Sequence, residues 1–216
     1  MMKKISKRIV NFPVSNFFVV LFVINIIFIY LGIYFYKGTF LFWQYPFSDI
    51  GATKAIGGIE NYKASLIYTI DMILSGLIML GLTYHYYKKI HKRNLLITVL
   101  CFLCGGGFII AGLSPDDIRP NIHVLGSALA ITALWILATN YLFEIKKQLK
   151  PKVYYLLQSV LQIPIFAYAF AYFSGTKPAD GILQKFTLAG MSFVLIYATS
   201  YYQKFNDKVK EKIDDL

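Results

Sequence analysis

Three stretches of this sequence hold the side chains that could do chemistry. Asp71 and Ser75 lie four residues apart in one apolar run, and His123 and Ser127 repeat that spacing in another. On a helix each pair shares a face. Between the runs stands Gly112-Leu113-Ser114-Pro115-Asp116-Asp117-Ile118-Arg119-Pro120-Asn121, and an earlier loop brings Ser48-Asp49. Ionisable groups inside an apolar run are costly, which makes Asp71 and His123 functional suspects. The group supports three chemistries. Asp49, Asp71, Asp116, Asp117, Arg119 and His123 could bind a lipid headgroup or a small cationic ligand. Ser48 as nucleophile, His123 as general base and Asp116 or Asp71 as its orienter could run acyl transfer. Asp71 and His123 could be proton sites.

Each of these residues also has a structural reading. Ser114 or Asp116 could cap a turn after Gly112. Asp116 or Asp117 could pair with Arg119, and Asp49 could cap a short helix. Asp71 could hydrogen-bond loop amides and so pin the loop, and His123 could simply partner one carboxylate.

Uncharged amides lie deeper: Asn25, and Gln158 with Gln162 at i and i+4. Such amides make interhelical hydrogen bonds. With Ser75 and Ser127 they could instead line a polar cavity beneath the carboxylates. Cys101 and Cys104 form a Cys-x-x-Cys inside an apolar run, without the second pair a disulfide-forming enzyme would need, and read as small packing residues. His85, His91 and His123 fall at opposite ends of their runs and cannot share a zinc ion; a metal site would have to be built from Asp49, Asp71, Asp116, Asp117 and His123, and neither a metal nor a cofactor is expected.

The elements that must position these residues are six apolar runs, at about 15–36, 66–87, 94–113, 122–143, 153–173 and 185–203, each near the length that crosses a bilayer. Their continuity indicates helices rather than barrel strands. Hydrophobic residues make up 57% of the 216 and charged ones 15%, and the mean hydropathy is +0.55. That excludes a soluble globular domain and a disordered chain. Residues 1–216 are therefore expected to form a single membrane domain, an all-α six-helix bundle. The first run is too long for a signal peptide and ends in Tyr34-Phe35-Tyr36-Lys37 rather than a cleavage site.

The net charge of +11 resolves into topology. Lys3, Lys4, Lys7 and Arg8 precede the first run. Lys88, Lys89, Lys92 and Arg93 follow the second, Lys146, Lys147, Lys150 and Lys152 follow the fourth, and Lys204, Lys208, Lys210 and Lys212 follow the sixth. All then fall on one side, which the positive-inside rule makes cytoplasmic, with both termini. No nucleic-acid motif accompanies the charge, so membrane lipids and not nucleic acid are the expected partners, in the cell membrane. The one long connection, 37–65, then lies outside, and its Trp43, Tyr45, Phe47 and Ile50 imply that it folds back on the bundle. Gly105, Gly106, Gly107 and Gly112 would let the third span approach its neighbours closely, and Pro164 would kink the fifth.

Two segments together resemble a known family. Tyr45-Pro46-Phe47-Ser48-Asp49-Ile50-Gly51-Ala52 follows the first span, and Asn61 precedes the second. Ala111-Gly112-Leu113-Ser114-Pro115-Asp116-Asp117 closes the third, and His123 opens the fourth. This resembles the six-span prokaryotic membrane family catalogued as domain of unknown function 998 (DUF998). It is more loosely similar to the eukaryotic Frag/DRAM/Sfk membrane proteins, which include a remodeller of GPI-anchor lipids. The resemblance implies the six-span fold and carries over Ser48, Asp49, Gly51, Asp116 and His123 as site positions. It implies no settled activity. The double proline and glutamate frequent in the eukaryotic branch are replaced here by Thr53-Lys54-Ala55-Ile56-Gly57-Gly58.

The expected function is a non-enzymatic multi-pass membrane protein whose outer-leaflet site, Asp49, Asp71, Asp116 and His123, binds a lipid headgroup or small cationic ligand. The alternatives are an intramembrane lipid hydrolase or transferase, and a proton-coupled transporter.

Overall fold

In the computed structural model, the described residues are 13–89, 95–175 and 177–214, with the side chains of 89, 177–179 and 206–214 left out. Lys3, Lys4, Lys7, Arg8, His91, Lys92 and Arg93 lie outside the described residues. The architecture is all-helical. α1 is Val14–Phe35, α2 the four-residue Ser48–Gly51, α3 Tyr62–Lys89, α4 Leu95–Gly112, α5 Pro120–Glu144, α6 Pro151–Ser174 and α7 Lys177–Asp214. Among the described residues, all but α2 contain a segment long and apolar enough to cross a bilayer, six in total.

The boundaries follow local rules. Pro120 and Pro151 occupy the first turns of α5 and α6, where no backbone N–H is needed for the helix ladder. α6 ends on Gly175 at φ 71°, a left-handed cap that glycine adopts without strain. It runs through Pro164 as one helix.

Two helices start earlier than the apolar runs suggest. α3 begins at Tyr62, which makes Asp71 its tenth residue. That is about 14 Å along the axis from the helix start, well below the first turn. α7 begins at Lys177, so Lys185 lies inside it rather than at its start.

Helix α4 is clasped on both sides by backbone. A Cβ on Gly107 would meet Ala130 N and Gly126 O at 2.6 Å, and one on Gly126 would meet Ala111 N at 2.6 Å. On the other flank, a Cβ on Gly76 would meet Gly105 O at 2.7 Å, and one on Gly112 would meet Met72 Cβ at 2.5 Å. These are the close approaches that small residues permit between helices in lipid. Gly106 is the exception among the four glycines expected there: a Cβ on it would touch nothing within 4 Å.

The ends of the bundle differ. At the end bearing Lys146, Lys150 and Lys204 the core is apolar, with Met79, Leu82, Leu137, Leu142, Val194 and Ala198 almost fully buried. Cys101 and Cys104 are free thiols within that cluster. The buried hydroxyls of Tyr86 and Tyr141 pair with each other there, and the Tyr201 hydroxyl donates to the carbonyl of Gln148 at 3.0 Å. The opposite end carries the connection from α1 to α3.

Candidate functional site

The connection folds back onto the bundle, and named side chains fasten it there. Asn61, 1% exposed, accepts from the Lys37 amide at 3.1 Å. It donates to the carbonyls of Ile50 and Ala52 at 3.2 and 3.0 Å. The Ser65 hydroxyl donates to the Gly51 carbonyl at 2.7 Å. Ile50 is fully enclosed, lying where any side chain on Gly32 would sit. Past α2 the chain makes a single bridge, Lys54 to Glu60, around Gly57 and Gly58, whose positive φ values turn it back.

Asp117 holds the connection from another side. Its carboxylate accepts from the Thr53 amide at 2.9 Å, the Thr53 hydroxyl at 2.6 Å and the Lys54 amide at 3.0 Å. Slight burial works the other way, but these three donors keep it below the usual carboxylate range. The pairing of Asp117 with Arg119 is thus replaced by a clasp on the loop, and Arg119 is exposed at the start of α5.

Helix α7 provides a third hold. Gln184 accepts from the Phe47 amide at 2.7 Å. Lys185, 7% exposed, donates to the carbonyls of Tyr45 and Gly181 at 2.6 and 3.0 Å. Its ammonium lies 4.4 Å from the Phe47 ring centre and 5.0 Å from that of Phe42. A buried lysine is tolerable when carbonyls and ring faces replace its water.

His123 serves the turn between α4 and α5. Its Nδ1 lies 3.0 Å from the Ala111 carbonyl and 2.9 Å from that of Ser114. Two carbonyl acceptors require that Nδ1 bear the hydrogen. Nε2 is 3.4 Å from the Ser127 hydroxyl. The acyl-transfer reading needs a carboxylate on Nδ1. Backbone carbonyls stand there instead, so neither Asp116 nor Asp71 orients this imidazole, and no carboxylate is its partner.

Beneath the connection runs a polar stripe that starts at Asn61, just before α3, and continues on it through Ser65, Tyr68, Asp71 and Ser75, spaced by four, three, three and four. That spacing keeps all five on one helical face. Asn61 and Ser65 are bonded as described. Tyr68 lies against Gly51, with its ring centre 6.3 Å from that of His123. Ser75 accepts from Asn25 at 2.8 Å. Asp71 is the gap in the stripe: it is 1% exposed, and neither carboxylate oxygen has a hydrogen-bond partner. The expectation that Asp71 pins the loop is corrected here, since Asn61, Ser65 and Asp117 do that.

Asp49 lies in the first turn of α2, which follows Phe47 at the N-cap, so Asp49 does not cap the helix. Burial pushes its carboxyl up to about 6; the charge of Asp116 adds to this and Lys185 opposes it.

Of the deeper amides, Asn25 joins the stripe through Ser75, and Gln158 and Gln162 lie apart from it. Asn25 and Ser75 lie between α1 and α3. Gln162 accepts from Trp135 Nε1 at 2.8 Å and donates to Thr139 at 3.3 Å and to Gln158 at 3.1 Å, and Gln158 donates to Tyr154 at 3.0 Å. That is a hydrogen-bond ladder between α5 and α6, and the hydrogen-bond partner of Ser127 is His123 rather than any of these amides. A small apolar cavity of about 30 Å³ lies elsewhere, lined by Phe18, Leu21, Leu134 and Met191. Among the described residues, no three His, Cys, Asp or Glu side chains are placed to hold a metal ion.

Sequence reasoning missed Asn61, Tyr68, Tyr168, Gln184 and Lys185 as parts of this end. The stripe spacing on α3 is the signal that could have found the first two. No family model, no curated protein and no solved structure matches this chain.

Proposed function

We propose that this multi-pass membrane protein binds a cationic group, the amine of a lipid headgroup or of a small molecule, at the carboxylates Asp71, Asp49 and Asp116, and that it is not an enzyme. The observation that carries this reading is Asp71. A carboxylate buried about 14 Å down a membrane helix with both oxygens unpartnered destabilises the fold by a few kcal/mol unless something else uses it. On the same stripe Asn61, Ser65 and Ser75 are hydrogen-bonded, and Asp71 between them is not. A ligand with several N–H donors and a positive charge is its chemical complement.

We place the basic end in the cytoplasm and the site near the outer leaflet of the cell membrane, following the positive-inside rule. Family membership in DUF998 is part of the same proposal, resting on the Ser48-Asp49-Ile50-Gly51 and Pro115-Asp116-Asp117 segments and His123. Transfer chemistry is less well supported, because the Nδ1 of His123 faces carbonyls. Proton-coupled transport is less well supported because the core of the basic half is largely apolar, with His85, Thr199 and the Tyr86–Tyr141 pair as its buried polar groups.

Native mass spectrometry across lipid headgroups tests the reading. Phosphatidylethanolamine retained in preference to phosphatidylglycerol, with the preference lost in Asp71→Asn, is the expected result. Indifference to headgroup in the wild-type protein contradicts it.

A further inference from the structure

We propose that Asp71 carries a proton while the site is empty, and that a primary ammonium group binds by displacing it, releasing a proton with each ligand taken up. The inference rests on the cation-binding reading above and specifies how that site works.

The argument begins with the surroundings of the carboxyl group. Asp71 is 1% exposed and neither oxygen is hydrogen-bonded. The hydroxyl one turn below, Ser75, is occupied by Asn25. The buried cation at this end, Lys185, gives its ammonium protons to the carbonyls of Tyr45 and Gly181 and faces two phenyl rings. The titratable groups at this end of the bundle are Tyr68 on α3, Asp49 on α2, Asp116 on the α4–α5 turn, His123 on α5, Tyr168 on α6 and Lys185 on α7, and none of them is hydrogen-bonded to the Asp71 carboxyl. α1 and α4 contribute Asn25 and the Gly112 carbonyl, already bonded to Thr69, and neither titrates.

An ionised carboxylate without a counter-charge or donor is far more costly to bury than the neutral acid. The empty site therefore holds the acid form. An arriving ammonium supplies charge and donors at once, and the carboxyl proton then has no place. The neutral acid and the ammonium ion thus become a carboxylate–ammonium pair and one proton released to solvent. The O–H bond of the acid is the only covalent bond broken, and the total charge is unchanged. The two bare oxygens call for N–H donors, which a quaternary ammonium lacks. Primary amines are therefore favoured over choline-type groups.

The amine can come from a lipid headgroup or from a free small molecule, and the test separates them. The full chain in phosphatidylglycerol nanodiscs is titrated calorimetrically with ethanolamine. A second arm uses short-chain phosphatidylethanolamine, with short-chain phosphatidylglycerol as control. Each titration is run in phosphate and in MOPS, whose different ionisation heats count protons. The expected result is about one proton released per amine bound, with affinity rising about tenfold per pH unit while the acid form prevails, and binding abolished in Asp71→Asn. Amine binding with no proton released overturns the inference and leaves the cation site standing. Proton release persisting in Asp71→Asn assigns the proton to another group and also overturns it. Failure of both amine sources to bind overturns inference and site together. The wild-type proton count needs no variant, so it decides the matter even if Asp71→Asn folds poorly.

Discussion

At the scale of single residues, this protein contrasts satisfied and unsatisfied polar groups on one helix face. Asn61 is the most heavily used, tying the end of α1, α2 and the start of α3 with three hydrogen bonds. Asn61→Ala leaves a buried amide and two carbonyls without partners and is expected to lower stability by about 2–4 kcal/mol. Thermal melting in detergent checks this. Asp71→Asn breaks no hydrogen bond, so its melting temperature should equal or exceed that of the wild type, whatever happens to ligand binding.

Asp49 predicts a pH effect whose sign is fixed. Its folded carboxyl is pushed up to about 6 from 3.8, so between roughly pH 4 and pH 6 the folded state holds more protons than the unfolded one. Its contribution to stability is greatest below that window and falls as pH rises through it. Asp117 acts oppositely: its lowered carboxyl favours the fold above the ordinary carboxylate range and loses that contribution as pH falls. Asp49→Asn should remove the decline toward pH 6 and keep the acid-side loss, as read from melting curves across that range.

At the scale of elements, α4 is the test of packing. Gly107→Ala drives a methyl into the backbone of α5, where neither helix can yield without separating. A loss of about 1–3 kcal/mol is expected from overpacking. Gly106→Ala one residue earlier meets open space and should be neutral or slightly stabilising, since alanine is the better helix former. Measuring the two side by side separates backbone contact from glycine content. Sequence composition alone ranks these neighbours equally, because four glycines at nearly continuous spacing do not announce which face meets another helix.

The six spans were legible for the converse reason: an apolar run near twenty residues has one physical use, and its length needs no partner to interpret. The ends of α3 and α7 were not, because Tyr62–Ser65 and Lys177–Gln184 are polar enough to read as loop. That misplaced Asp71 by about one turn and hid Lys185 from the site.

At the scale of the whole molecule, the asymmetry between the two ends is what the sequence foretold least completely. The carboxylates and His123 stand out in the sequence as candidates, but their separate roles do not. Which acid clasps a loop and which is left bare depends on tertiary placement of Thr53 and Lys54 amides. The apolar core at the basic end predicts a barrier to ions. Liposomes containing the protein should keep an imposed proton gradient as long as protein-free liposomes do, and rapid collapse of the gradient supports the transport reading instead.

The central claim, that an amine meets Asp71, is tested most directly by solid-state NMR distance measurement. Protein carrying 13C at aspartate carboxyls is reconstituted with 15N-ethanolamine, and the 13C–15N dipolar coupling at the Asp71 carboxyl is read, with Asp71→Asn providing the assignment. A nitrogen within about 4 Å of that carbon, the reach of a charge-assisted hydrogen bond, is the predicted result. Absence of coupling at Asp71 under saturating amine contradicts the account.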